Sequence, residues 1–405
     1  MKSIPRLLSA AIILMISLSL VYCKRPETVK RSSEVFEIPP DYLKQASEIP
    51  SFWISEYQAV NQFLASNVKK GVIEVVGTSA GGRKICAVTY GNPRQGNGTS
   101  TFSGSLGFGD VRAYRGPDHD KTVYMSIAAV HGGEFEGIVG TVNLISVLET
   151  GKDLRGKEWP EITEYASKLN RIVLVPVTNP DGRERIPLRM EAYRDTDFTV
   201  AEYLNTGGDD KGKITGWPQI KEFIPMDFSK PGFPGGYPND NGVNIQHDDF
   251  LGKVQPETRA LFDLTAKEKP DVILNLHTGA VYMLMHRPMI EPVLMPFFDS
   301  LFKSVHSGLA LKGLQYTNDP AVEGDASRTA NSTYNLDCAL NLNCGALSVV
   351  VESPSHSFSG NRETQKRKIE SPENLLDAQL TLHQQAMKFL AETGGRSKWL
   401  PGRKR

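Results

Sequence analysis

The chain has 405 residues, which is long enough to form one large α/β domain or two domains of ordinary size. Lys plus Arg and Asp plus Glu each number 46, so no global basic excess points to nucleic acid. The composition favours a soluble, globular protein of enzyme size.

The first residues have the pattern of an export signal. Lys2 and Arg6 precede an apolar stretch over residues 7–22, which ends at Cys23. A basic start before a short apolar stretch is typical of a secretory signal, so we predict that residues 1–22 direct export. Cys23 lies where a bacterial lipoprotein carries its lipid, although Tyr22 occupies a place where a small residue is expected. We therefore expect a membrane-anchored lipoprotein, with a soluble periplasmic or secreted protein and a retained signal anchor as alternatives.

Residues 23–50 are polar and contain several prolines, which predicts a tether or an N-terminal extension. Two strands are predicted at residues 72–76 and 85–90, joined by the Gly-rich turn over residues 77–83. The next apolar run, residues 123–130, ends at His131 and Glu134. Apolar residues then recur at near-helical spacing over residues 138–148, which predicts a β-strand followed by a helix.

Three more short apolar runs also end at polar groups. Residues 171–177 lead to the Asn-Pro-Asp-Gly motif at 179–182, residues 272–276 lead to His277, and residues 347–351 lead to Glu352. Open α/β sheets bind ligands at the carboxyl ends of their parallel strands, so these groups are expected along one sheet edge. Zinc binds His nitrogen and carboxylate oxygen, and a hydrolytic site needs three protein ligands. His131 and Glu134 form half of such a site, and His277 or Glu352 could complete it.

The rest of the chain predicts one domain over residues 51–395. Residues 207–241 are rich in Gly, Pro and Asp and form either a functional rim or a disordered segment. Ser371 and Pro372 begin a helix that stops at Gly394. Residues 396–405 form a basic tail, which we expect to be a solvated end. Among the cysteines, Cys338 and Cys344 are close enough in sequence to form a disulfide, and Cys86 is expected to be a buried strand residue.

Together these motifs resemble the zinc metallocarboxypeptidases of the carboxypeptidase A and B type. The resemblance spans most of the chain after the export signal, from the Gly-rich turn to Glu352. It implies a mixed, mainly parallel eight-stranded sheet flanked by helices, in a single catalytic domain. It also implies that His131, Glu134 and His277 bind one Zn²⁺ ion and that Glu352 is the general base. In this family an Arg that stabilises the oxyanion follows the Asn-Pro-Asp-Gly motif, and Arg194 falls at that place, with Arg183, Arg185 and Arg189 as competitors.

The departures from the family lie in one segment. Where the family has Gly-Val-Asp-Leu-Asn-Arg, whose Asn and Arg bind the terminal carboxylate of the substrate, residues 242–247 read Gly-Val-Asn-Ile-Gln-His. Asn244 replaces an acid that orients a zinc-bound His, which removes a charge from the surroundings of the metal. Gln246 and His247 take the places of the carboxylate-binding pair, and a His cannot form the bidentate contact of Arg. Tyr334 is a candidate for the substrate-contacting Tyr of the family.

Three classes of function remain open from the sequence. The first is a metallopeptidase of the carboxypeptidase type that acts on peptides. The second is a zinc amide hydrolase, a deacylase or a cell-wall peptide hydrolase that does not require a free C-terminus. The third is a non-catalytic binding protein of the same fold.

Overall fold

The computed structural model describes residues 36, 38, 40–193, 199–209, 211, 213–216, 219–221, 225–228, 232–280, 283–314, 331–356 and 370–400. All of them lie in one unit, which runs from Arg31 to Arg405. The strands are β1 (Val72–Thr78), β2 (Lys84–Gly91), β3 (Val123–Ala128), β4 (Arg171–Val175), β5 (Val272–Thr278), β6 (Leu284–Met285) and β7 (Leu347–Ser353).

The helices before β5 are α1 (Tyr57–Asn67), α2 (Phe102–Gly107), α3 (Arg112–Arg115), α4 (Glu136–Thr150), α5 (Pro160–Lys168), α6 (Pro180–Arg185), α7 (Thr199–Thr206) and α8 (Pro256–Glu268). Those after β5 are α9 (Met295–Leu311), α10 (Leu336–Cys344), α11 (Pro372–Thr393) and α12 (Arg396–Trp399). Short 3₁₀ turns occur at Pro40–Leu43, Gln219–Lys221, Ile245–His247 and Pro292–Leu294. No helix in the described part of the chain is both long enough and apolar enough to cross a membrane.

The strands form one mixed sheet in the order β1-β2-β4-β3-β5-β7-β6. Strands β3, β4, β5 and β7 are parallel, whereas β1, β2 and β6 pair antiparallel with their neighbours. The predicted mixed, mainly parallel α/β fold is therefore confirmed, with seven strands in the described residues where the resemblance implies eight. The strand pair around the Gly-rich turn is also confirmed, and its register shifts between Val75 and Gly77.

Helices cover both faces of the sheet and bury its central strands completely. One face packs against α1, α4, α5, α9 and α11, and the other packs against α2, α8 and α10. Parallel strands that are covered on both faces read as continuous apolar runs, which is why β3, β4, β5 and β7 were recognisable in the sequence.

The end of the chain differs in part from the prediction. Helix α11 begins as predicted, because the Ser371 side chain accepts a hydrogen bond from the backbone N–H of Asn374, and it ends at Gly394 with φ 74°. The predicted solvated tail, however, begins with a buried turn. Arg396 is 1% exposed and forms an ion pair with Glu291, and its backbone N–H donates to Asp271. These partners, which the sequence pattern does not reveal, hold α12 against the domain.

All three cysteines in the described residues are free thiols. Cys338 and Cys344 both lie in α10, so the disulfide that their spacing allowed is not formed. Cys86 lies in β2 and is half-buried.

Candidate metal centre

The carboxyl ends of β3 and β5 bring His131, Glu134 and His277 together in a buried cluster. His131 Nδ1 lies 2.9 Å from Glu134 Oε1, and His277 Nδ1 lies 3.0 Å from Glu134 Oε2. The two Nδ1 atoms are 3.2 Å apart. Ligand atoms at the corners of a tetrahedron around zinc, with bonds of about 2.0–2.1 Å, are separated by roughly 3.3 Å. The cluster therefore has the size and the donor atoms of a three-ligand zinc site.

The outer nitrogen of His131 determines which tautomer the ring adopts. His131 Nε2 lies 3.1 Å from Asn244 Oδ1, and the same oxygen accepts the backbone N–H of Gln246 at 3.1 Å. Because Asn244 Oδ1 can only accept, His131 Nε2 must donate. The lone pair of the neutral ring is then on Nδ1, the atom that faces Glu134 and His277, as a metal ligand requires.

The charges in the cluster favour metal binding. Burial would raise the pKa of Glu134, but the two imidazoles lower it to about 2, so this carboxylate is ionised. Burial lowers the pKa of His131 below its ordinary value, despite the opposing charge of Glu134. Burial would also lower the pKa of His277, but the negative charges of Glu134, Glu352 and Asp337 raise it to about 9. The carboxylates therefore attract positive charge to the cluster, a role that the proton on His277 fills in the metal-free protein and that a divalent cation would take over.

Glu352 lies beside the cluster on the neighbouring strand. It is in register with His277 in the parallel pair of β5 and β7, so both side chains project from the same face of the sheet. A Cβ atom placed on Gly279 would lie 3.0 Å from Glu352 Oε2, which shows that the carboxylate extends over this glycine. Burial and the charge of Glu134 raise the pKa of Glu352 to about 7, although His277 opposes the shift.

Three loops meet at very close range around His131. The backbone N–H of Gly132 donates to the Gly236 carbonyl oxygen at 2.8 Å, and a Cβ atom on Gly132 would lie 2.0 Å from the carbonyl carbon of Gly182. The ring of Tyr237 stacks on His131 with 3.5 Å between ring centroids and an interplanar angle of 13°. The side chain of Asn179 donates to the Tyr237 carbonyl oxygen at 3.0 Å. The Asn-Pro-Asp-Gly motif thus holds the loop that packs on the metal ligand.

The predicted substrate-binding residues lie in different environments. Gln246 is buried, its Nε2 donates to Asp337 Oδ2 at 3.3 Å, and its Oε1 accepts from Asn275 Nδ2 at 3.0 Å. Both ends of its amide are therefore bonded inside the protein, and its carboxylate-binding role stays a prediction that depends on the second N–H of this amide. His247 is half-buried at the end of the 3₁₀ turn. Tyr334 is 39% exposed and packs edge-on against Phe250, with 5.7 Å between ring centroids.

The four arginines that could stabilise the oxyanion differ in their contacts. Arg183 donates to the carbonyl oxygens of Ser55, Ile186 and Leu188. Arg185 donates to the carbonyl oxygens of Gly235 and Pro238 and to Asp240. Both are thus committed to internal contacts, and Arg189 forms a half-exposed ion pair with Glu56. Arg194 lies outside the described residues.

Several residues at the site had no recognisable signal in the sequence. A small pocket adjoins the cluster and is lined by Gly133, Glu136, Glu191, Asn205, Thr278 and His356, among others. Burial, together with the charge of Glu191, raises the pKa of Glu136 to about 8. Tyr237 and Asp337 were also missed, because their importance depends on partners far away in the chain.

Comparison with known proteins supports the interpretation of the cluster. Residues 58–291, more than half of the chain, match the family model for zinc carboxypeptidases. The chain belongs to this family, and it is a zinc metallopeptidase. The matched region contains His131, Glu134 and His277 but ends before Glu352.

Solved structures of similar fold agree. A metallo-carboxypeptidase from Burkholderia cenocepacia is 15% identical with a TM-score of 0.50, over 82% of this chain and 69% of that one. A protein from Burkholderia mallei, described as a carboxypeptidase, is 13% identical with a TM-score of 0.51, over 82% of this chain and 67% of that one. At such low identity these likenesses establish the fold. A comparison of the sequence with curated proteins finds no match.

Proposed function

We propose that His131, Glu134 and His277 bind one Zn²⁺ ion and that Glu352 is the general base in hydrolysis of a peptide or amide bond. The observation that carries this proposal is the close approach of the three side chains: the two Nδ1 atoms lie 3.2 Å apart, and each lies 2.9–3.0 Å from one carboxylate oxygen of Glu134. Glu352, in register with His277 on the neighbouring strand, adds a second carboxylate beside this cluster.

When bound, zinc supplies Lewis acidity and lowers the pKa of a coordinated water to about 7. Glu352 removes a proton from the attacking water and delivers it to the leaving nitrogen. A general base works best with a pKa near the working pH, and the pKa of Glu352 near 7 meets this requirement. Asn244 and the stacked ring of Tyr237 hold His131 in its binding orientation throughout.

The negative charge that develops on the substrate oxygen needs a fixed donor. Arg183 and Arg185 are both engaged with backbone carbonyl oxygens, so neither is available without breaking buried bonds. We therefore assign this role to Arg194, as the family resemblance implies. Removal of a single donor of this kind typically reduces the rate by about 10²–10³-fold.

Two candidate functions differ in how the protein recognises the end of its substrate. The first is a carboxypeptidase, in which His247 and Tyr334 contact a free C-terminal carboxylate. The second is an amide hydrolase, deacylase or cell-wall peptide hydrolase that needs no free C-terminus. The internal bonding of Gln246 supports the second, because Asp337 and Asn275 engage both ends of this amide and leave only one of its side-chain N–H hydrogens for a substrate. Peptides of the cell wall are substrates that an exported protein, attached through Cys23 or released, would encounter.

Matched substrates decide between these candidates. The purified protein, loaded with zinc, is assayed on blocked dipeptides with free or amidated C-termini and on a mixed pool of muropeptides. A strong preference for the free acid supports the carboxypeptidase, whereas cleavage of amidated or cell-wall substrates supports the second candidate. Zinc binding at unit stoichiometry with no turnover of any substrate would instead indicate a binding protein. Failure to retain zinc would refute the proposal as a whole.

A further inference from the structure

A buried carboxylate, Asp337, lies behind the metal cluster in the first turn of α10. It is 1% exposed, and its oxygens accept hydrogen bonds from Ser348 Oγ at 2.6 Å, Asn275 Nδ2 at 2.9 Å and Gln246 Nε2 at 3.3 Å. All three donors are neutral. Among the residues that the structure describes, no Lys, Arg or His forms an ion pair with it, although its charge acts on His277 in the metal cluster. A buried charge of this kind is unfavourable unless a positive charge nearby compensates it.

The sheet register places two hydrogen-bond partners of Asp337 on the face of the sheet that carries the cluster. Asn275 precedes His277 by two residues on β5, so both side chains project from the same face, about 6.6 Å apart along the strand. Ser348 precedes Glu352 by four residues on β7 and also projects from this face. Asp337 bridges these two strands one layer below His277 and Glu352.

The same carboxylate is connected to the other imidazole ligand. Gln246 donates its side-chain amide to Asp337 and its backbone N–H to Asn244 Oδ1, the oxygen that binds His131 Nε2. Asn275 donates one hydrogen of its amide to Asp337 and contacts Gln246 Oε1 as well. Asp337 therefore supports the group that orients His131 and lies under the strand that carries His277.

We propose that Asp337 is the outer anion of this metal centre, a positioning residue that supplies the negative charge which neutral Asn244 does not. Through Gln246 and Asn275 it orients the two imidazole ligands, and its charge is balanced by the bound dication. This inference rests on the proposed zinc site. Outer-shell residues of metal sites typically change metal affinity by about 10–100-fold when they are replaced.

The test compares the zinc affinity of four proteins: the wild type, Asp337→Asn, Asn244→Asp and the double variant. Affinity is measured by competition with a chromophoric chelator at fixed pH, and the visible absorption of the Co²⁺ form reports ligand geometry. We expect Asp337→Asn to weaken zinc binding by about tenfold or more. Asn244→Asp restores an acid directly on His131, so the double variant should recover most of this loss.

A matched control distinguishes an effect of the Asp337 charge on zinc binding from a general loss of stability. Glu268 is equally buried, at 1% exposure, and pairs with Arg171 at the other end of the sheet. Glu268→Gln should destabilise the fold and leave the zinc affinity and the Co²⁺ spectrum unchanged. If Asp337→Asn behaves in the same way, or if Asn244→Asp does not rescue it, Asp337 only anchors α10 and the inference is wrong.

A second measurement covers the case in which Asp337→Asn does not fold. The single variant Asn244→Asp adds an acid to a cluster that, by our inference, already has its outer charge. Its zinc affinity should therefore change little, and a gain of about tenfold or more would overturn the inference. If the wild type itself does not bind zinc, the proposed function fails rather than this inference.

Discussion

Gly132 is the position at which a single methyl group should disable the metal centre. A Cβ atom there would lie 2.0 Å from the carbonyl carbon of Gly182 and 2.2 Å from the backbone nitrogen of Arg183. Both contacts are with backbone, so no side chain can rotate away, and the two loops must separate by about 1 Å. Forced overpacking of this kind costs about 1–3 kcal/mol of stability. Because His131 is the preceding residue, the same shift displaces a zinc ligand. Zinc sites tolerate deviations of only about 0.2 Å in the metal–ligand distance.

We expect Gly132→Ala to fold with reduced stability, to lose zinc affinity and to lose about 100-fold in kcat/KM. Zinc content after dialysis, chelator competition and urea denaturation of the metal-free protein measure these effects separately. Gly107→Ala is the matched control, because a Cβ atom there meets nothing within 4 Å. Wild-type zinc affinity in Gly132→Ala would show that the loops around His131 yield more easily than their backbone contacts imply, and it would refute this reasoning.

Three further predictions concern the base, the cavity and the core. Glu352→Gln should retain zinc at unit stoichiometry and lose about 10²–10⁴-fold in kcat, and an active variant would exclude Glu352 as the base. Glu136 has a folded pKa raised to about 8, so the folded protein binds its proton more tightly, and stability falls as pH rises from about 4.5 to about 8. Glu136→Gln should abolish this fall in stability, which is on the order of a few kcal/mol. Urea titrations of the metal-free protein at several pH values measure it, and parallel profiles of stability against pH for wild type and variant would contradict the prediction. Asp271→Asn removes the negative charge that pairs with buried Arg115 and should cost about 3–5 kcal/mol of stability. Asp299→Asn, in a more exposed pair with Arg287, should cost less than about 1 kcal/mol. Thermal unfolding measures both losses.

The site residues that could be predicted from the sequence are those at the carboxyl ends of the parallel strands. Strands β3, β4, β5 and β7 are apolar along their whole length because helices cover both faces, so their ends could be located within one or two residues. His131, His277 and Glu352 follow from that, since parallel strands present their carboxyl ends at one edge.

The remaining features depend on partners that no local pattern indicates. Gln246 was assigned to the substrate on the basis of its motif, but Asn275 and Asp337, which are 29 and 91 residues away, occupy both ends of its amide. Arg396 looked like part of a solvated basic tail, and only the fold places Glu291 and Asp271 beside it. Tyr237 lies in a Gly- and Pro-rich segment whose composition predicts a loop, and composition cannot reveal which ring it stacks on.

The register shift in β1 has a consequence for how the protein behaves before it finishes folding. This strand borders the sheet on one side, and Val72 and Val75 are more than half exposed on it. A flat apolar border of this kind would recruit strands from other molecules, but a bulge twists the strand and interrupts its ladder. The irregularity between Val75 and Gly77, together with the charged pair Glu74 and Lys267, therefore guards against self-association. Variants that straighten this strand should aggregate during refolding even if their finished active site is intact.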